Sequence, residues 1–174
     1  RSSHRGSSHD DKPAALTTEQ MISVAEQAMP TGAQERFTDE EIRMLVEAGA
    51  HAPSGGNLQP WNFLACEGHL FLFHDLERGY SAIDGGGLVP AIGLGACLEN
   101  IRIAASSIGV GLNISTLPLP DAQELIAVIS KDGSIKNIVP DPLAQWIPQR
   151  CTNRKKPIKR AIDDSVLRAM TDAV

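Results

Sequence analysis

Aromatic side chains are scarce in this 174-residue sequence: two tryptophans, one tyrosine and four phenylalanines. The three cysteines, Cys66, Cys97 and Cys151, are odd in number and widely spaced, with no CxxC. That excludes a disulfide scaffold and fits a reducing, cytoplasmic setting with buried or incidental thiols. No charged-apolar-small leader is present. The longest uncharged apolar run, near 85–98, is interrupted by glycines and a proline and reads as too short and broken to span a bilayer. Acidic residues are absent from one stretch, 150–160, where Arg150, Arg154, Lys155, Lys156, Lys159 and Arg160 are concentrated. Without those six, ten basic side chains face twenty-one acidic ones. Positive charge is thus local, which points to an anionic partner at that place. An acidic chain (net charge −5) with few aromatics near its basic cluster is not a nucleic-acid binder. What remains is ordinary globular composition, 42% hydrophobic and 21% charged, enough for one domain or a little more.

Residues 1–14 (RSSHRGSSHDDKPA) have almost nothing apolar and read as a disordered leader or linker. The chain opens on Arg1 rather than methionine and ends at Val174 inside a helical pattern, so it is expected to be a piece of a longer polypeptide. A helix is predicted over Thr18–Met29, with Met21, Ile22 and Ala25 inward, closed by Pro30 and Gly32. Thr38 and Glu41 form a capping box for a second helix, stapled by Phe37 and Ile42, with Leu45, Val46 and Gly49 on its inner face. Strands are predicted at 61–66 and 69–76 around a Glu67–Gly68 turn, and at 111–116 and 125–130. Between them, 88–108 reads as a long buried helix whose small residues Gly93, Gly95, Ala96 and Ala105 admit a close neighbour. The stretch 140–148 has three prolines and reads as a linker-like crossing; a last helix over 163–173 would turn Val166, Leu167 and Met170 inward. This order predicts an α+β fold rather than alternating βαβ units.

Chemistry concentrates in Ala52-Pro-Ser-Gly-Gly-Asn-Leu-Gln-Pro-Trp61. Ser54, Asn57 and Gln59 bring donors and acceptors suited to the carbonyl and nitrogen edge of a heterocycle, and Gly55 and Gly56 let backbone approach a flat ligand. The same residues also read as a helix-to-strand loop capping its own backbone. Trp61 and Trp146 read as core packing, with stacking near a ring as the alternative. His51, His69 and His74 do not have metal-site spacing, and Gly85–Gly87 is no dinucleotide fingerprint. Arg150-Cys-Thr-Asn-Arg154 can chelate phosphate through two guanidiniums and the Thr152 hydroxyl, or it is a solvated basic linker.

The 52–61 motif closely resembles the signature of the nitroreductase family of FMN-dependent oxidoreductases. Gly93–Gly109 is similar to that family's long central helix, and Arg150–Arg154 to its Arg-x-Ser/Thr-x-Arg element; the resemblance covers about residues 36–170. It implies a nitroreductase-like sheet, antiparallel or mixed, packed by helices. It implies FMN held by Pro53, Ser54, Gly55, Asn57 and Gln59 around the ring, and by Arg150, Thr152, Asn153 and Arg154 at the phosphate. It implies NAD(P)H as co-substrate, a nitroaromatic or quinone-like small-molecule acceptor, ping-pong turnover, and no catalytic nucleophile. Here the arginine element follows the loop instead of preceding it, and Pro157 and Ile158 stand where an aromatic often follows. That order resembles a subgroup with two fused halves: 15–140 would be the first half, and 141–174 a crossing and the start of the second. A homodimer or pseudo-dimer is implied. The alternative is a non-catalytic flavin-sequestering module, accessory to an adenylating domain of a larger cofactor-biosynthesis protein. Asp75, Arg78 and Asp84 also recur in the subgroup and read as an ion pair or turn cap.

Overall fold

The computed structural model describes residues 13–31, 35–80, 87–156 and 160–172. Residues 1–12 of the expected 1–14 leader, Gly32, Asp84, Gly85, Pro157, Ile158 and Lys159 lie outside them.

The described elements run α1 (Thr18–Gln27), α2 (Asp39–Ala50), β1 (Trp61–Cys66), β2 (His69–His74), a one-turn α3 (Leu76–Gly79), α4 (Leu88–Ser107), β3 (Leu112–Thr116), β4 (Leu125–Lys131) and α5 (Asp164–Asp172). The four strands form one antiparallel sheet in the order β1-β2-β4-β3. The α+β expectation holds, with the sheet antiparallel rather than mixed.

β1 and β2 form a hairpin, Cys66 opposite His69, across Glu67 (φ 52°) and Gly68 (φ 76°). Two left-handed residues match the strand twist, and Gly68 takes its conformation without strain. β2 is central, and its apolar run is covered on both sides. Phe71 and Phe73 meet Met21 and Ala25 of α1; Leu70 and Leu72 meet the cluster of Leu45, Cys97 and Ile101 from α2 and α4. The molecule is thus layered: α1, the sheet, then α2 with α4. Each fully buried leucine or phenylalanine there contributes about 1.5–3 kcal/mol.

The capping box of α2 is present: Thr38 Oγ1 accepts from Glu41 N–H, and Glu41 Oε2 accepts from Thr38 N–H at 2.8 Å. Gly49 lies where a Cβ would come within 3.1 Å of Cys97 Sγ and Ile101 Cδ1, so α2 and α4 approach closely. Asn100 Nδ2 ties the helices together by donating to Ala48 C=O at 3.0 Å.

Five expectations need correction. From Leu88 on, the broken run belongs to a twenty-residue helix that is long and apolar enough by length and composition to cross a membrane. Pro90 sits in its first turn, where no helical N–H is needed. The first half of that helix is also buried on one side only. Leu94, Cys97, Ile101 and Ala105 are in the core, whereas Leu88 (65% exposed) and Ile92 (63%) face outward and a Cβ on Gly95 would meet open space. The proline-rich crossing is a 3-10 helix, Pro142–Gln149, with Ile147 buried against Ala48 and Ile103 while Trp146 is exposed rather than core. Finally, α5 forms, but Val166, Leu167 and Met170 are exposed because no described element covers them. In α1, Ile22 is partly exposed although Met21 and Ala25 are buried.

Candidate functional site

The polar loop is built between the end of α2 and the start of β1. Ser54 C=O accepts from Asn57 N–H (3.0 Å), Gly55 C=O from Leu58 N–H (3.1 Å), and Ser54 Oγ from Gln59 N–H (3.0 Å). Gln59 C=O then accepts from Trp61 N–H (2.9 Å). The backbone-capping reading of Ser54 is therefore correct, but it uses only the oxygen. Among the described residues its hydroxyl hydrogen has no acceptor, which leaves it as a donor.

Gly56, Asn57 and Gln59 have φ of 59°, 59° and 49°. Glycine meets this without cost; asparagine tolerates it, and glutamine adopts it only where surroundings enforce it. Asn57 and Gln59 are exposed, and their side-chain amides have no partner among the described residues. Gly55 serves a purpose the sequence did not disclose. A Cβ on it would lie 2.1 Å from Val89 Cγ1, so its missing side chain admits α4 rather than a ligand. Gly93 of α4 similarly lies against Pro53 C=O and the Ser54 Cβ. The loop is seated on the first two turns of α4.

The loop exit is held by a buried carboxylate. Asp75, 6% exposed, accepts from Arg78 N–H (2.9 Å), Arg78 Nε (2.6 Å) and Asn62 Nδ2 (3.3 Å). Arg78 Nη2 donates onward to Trp61 C=O at 3.2 Å and to Asn62 Oδ1. Burial pushes the Asp75 pKa up, but the hydrogen bonds and charge of Arg78, with Asn62, outweigh it and hold the carboxyl below its ordinary range. The ion pair and turn cap read for Asp75 and Arg78 are both present.

The arginine element arrives from the opposite end of the chain. Asp141 caps the 3-10 helix, its N–H donating to Ser106 Oγ at 2.9 Å, and the helix runs along α4 to α2. There Arg150 Nε donates to His51 C=O at 3.1 Å, two residues before Pro53. The fold thus joins Arg150 to the foot of the polar loop across ninety-nine positions of sequence. Thr152, Asn153 and Arg154 are exposed, and among the described residues none bonds to the loop. Asn153 Oδ1 instead accepts from Lys155 N–H at 3.0 Å. Pro53, Ser54, Gly55, Asn57 and Gln59 are thus together with Arg150 beside them, and the rest of the arginine element makes no hydrogen bond to the loop among the described residues. No group of three or more metal-binding side chains occurs among the described residues.

Residues 33–80 match the profile of the Nitroreductase family. A Mycobacterium tuberculosis protein named "Putative NAD(P)H nitroreductase acg" is 33% identical over 84 residues, 48% of this chain and 25% of that protein. A second from the same organism, "Uncharacterized protein Rv3127", is 30% identical over 92 residues, 51% of this chain and 27% of its own length. The matches thus span about a quarter of these relatives. Among solved structures, one titled "Putative NADH Oxidase" from Clostridium acetobutylicum aligns with a TM-score of 0.50 and 20% identity, covering 71% of this chain and 93% of that one. The fold is therefore nitroreductase-like, and the stretch holding α2, the polar loop and the β1–β2 hairpin matches the nitroreductase family.

Proposed function

We propose that this chain supplies one wall of a flavin site in an FMN-dependent oxidoreductase that takes electrons from NAD(P)H and passes them to a nitroaromatic, quinone or similar small-molecule acceptor. The observation that carries the reading is the polar loop. Ser54 keeps a free hydroxyl hydrogen, and the Asn57 and Gln59 amides stand exposed on a backbone seated against α4. FMN, when bound, supplies the electron-transfer chemistry. The chain's own residues orient it: Ser54, Asn57 and Gln59 present donors and acceptors to a heterocycle edge, while Pro53 and Gly55 shape the loop. Arg150, Thr152, Asn153 and Arg154 are the phosphate residues of this reading. The exposed guanidiniums and the Thr152 hydroxyl match phosphate oxygens in chemistry. No side chain of the chain is required as nucleophile.

In this reading residues 15–140 form one half of a two-half assembly, with 141–174 the crossing and the start of a second half, within a pseudo-dimer or homodimer. A correspondence between α2 and α5 supports it. Phe37, Thr38, Asp39, Ile42, Arg43, Leu45 and Glu47 are matched in spacing by Ile162, Asp163, Asp164, Leu167, Arg168, Met170 and Asp172. The first turns agree too: Ile42 N–H donates to Thr38 C=O at 3.0 Å, and Leu167 N–H to Asp163 C=O at 3.1 Å. The apolar set that α2 turns onto α4 is bare on α5.

Titration of the purified protein with FMN, followed by flavin fluorescence, tests the site. Saturable quenching that Arg154→Ala weakens is expected; a protein that stays colourless and cannot be loaded overturns the flavin reading. Anaerobic bleaching of the bound flavin by NADH or NADPH is expected. Reduction by dithionite but by neither nicotinamide would replace turnover with storage.

A further inference from the structure

Resting on that reading, we infer that Asp75 and Arg78 are positioning residues for the flavin loop: one guanidinium locks the backbone that presents Asn57 and Gln59 to the ring. The bonds form a continuous relay. Asp75 N–H donates to Pro60 C=O at 3.0 Å, and its carboxylate fixes Arg78, which holds Trp61 C=O and the Asn62 side chain. Pro60, Trp61 and Asn62 are thus pinned in succession. Trp61 N–H then holds Gln59 C=O, and Gln59 N–H holds Ser54 Oγ. Trp61 C=O is thus two hydrogen bonds from the buried carboxylate, Gln59 three and Ser54 four.

The loop requires such restraint. Asn57 and Gln59 are left-handed at non-glycine positions, a conformation that persists only when neighbours over-determine it. The α4 contact at Val89 and Gly93 fixes the loop's entry, around Pro53 to Gly55. Its exit passes through buried Pro60 into Trp61, which lies in the core and pairs with His74, and the Asp75–Arg78 clamp adds the hydrogen bonds to Pro60 C=O and Trp61 C=O. The task is specific to arginine. A planar guanidinium serves Asp75 with one nitrogen and Trp61 C=O and Asn62 with another, whereas a lysine ammonium is a single point on a flexible stem. Neither Asp75 nor Arg78 touches the exposed amides, so their effect on a ligand passes through the loop.

The test compares wild type, Arg78→Lys, Asn62→Ala and the surface control Arg102→Lys, whose partners are Glu99 on α4 and, at 3.8 Å, Asp141. Amide hydrogen exchange without flavin reads the loop directly. Arg78→Lys is expected to speed exchange across 57–62 while the β2–β4 amides stay protected, with Asn62→Ala doing so more weakly and Arg102→Lys not at all. Unchanged protection of the loop in Arg78→Lys overturns the inference. FMN titration is the second arm, with affinity expected to fall about tenfold in Arg78→Lys. A loosened loop with unchanged FMN affinity also overturns it. Failure of wild type to bind FMN defeats the flavin reading instead, and the exchange arm still decides whether the clamp orders the loop.

Discussion

Gly55 offers the sharpest test of how the polar loop is held. A Cβ at this position would lie 2.1 Å from Val89 Cγ1, far inside van der Waals contact. Its φ is not left-handed, so the cost of alanine is spatial rather than torsional. Val89 cannot swing aside freely, because a helical valine has one strongly preferred χ1. Either the rotamer is strained or the loop lifts from α4, and overpacking of this kind costs about 1–3 kcal/mol. For a chain of this length that corresponds to a fall in Tm of about 2–12 °C. Val89→Ala removes the offending methyl and, at a position 40% exposed, costs little by itself. The double variant should therefore recover most of the loss, giving a coupling of about 1 kcal/mol or more in a double-mutant cycle. Urea unfolding followed by far-UV circular dichroism measures all four proteins. If Gly55→Ala is as stable as wild type, or Val89→Ala fails to rescue it, the loop is not seated on α4 as described.

Two further outcomes are expected. Burial pushes the His74 pKa down from its ordinary 6.5, against the opposing charges of Asp75 and Glu124, and burial with the Arg36 charge does the same for His69. Both imidazoles prefer to be neutral in the fold. Their stabilising contribution is therefore complete above about pH 6.5 and is lost as pH falls toward the lower folded values. Urea midpoints between pH 7.5 and 5 should fall in wild type and fall less steeply in His74→Phe; identical slopes would refute the assignment to His74. Burial also pushes the Cys97 thiol up to about 12, while Cys151 is exposed in the basic segment. Iodoacetamide at pH 8 with mass mapping should label Cys151 readily and leave Cys97 unmodified until the protein is unfolded. Early labelling of Cys97 would mean that the α2–α4 contact opens.

Much was legible in local sequence because its causes are local. Thr38 and Glu41 dictate where α2 begins, since both halves of a capping box lie within one turn. Glu67–Gly68 specifies the hairpin because two adjacent residues carry the positive φ. The polar loop could be read as a site because its donors are contiguous. Outcomes that depend on what lies opposite could not be read this way. Val166, Leu167 and Met170 have the spacing of an inner helix face, yet inwardness requires a partner, and none of the described elements is one. The long helix is apolar all round, but only packing decided that Cys97 and Ile101 meet α2 while Leu88 and Ile92 do not.

The sequence alone thus determined the α+β element order, the caps and turns, and the candidate loop, all governed by interactions a few residues apart. The tertiary structure decided the rest: that Gly55 makes room for Val89, that Asp75 and Arg78 secure the loop's exit, and that Arg150 returns to the carbonyl of His51. Each of these is a contact between distant positions, and separation along the chain carries no information about distance in space until helices and sheet have packed.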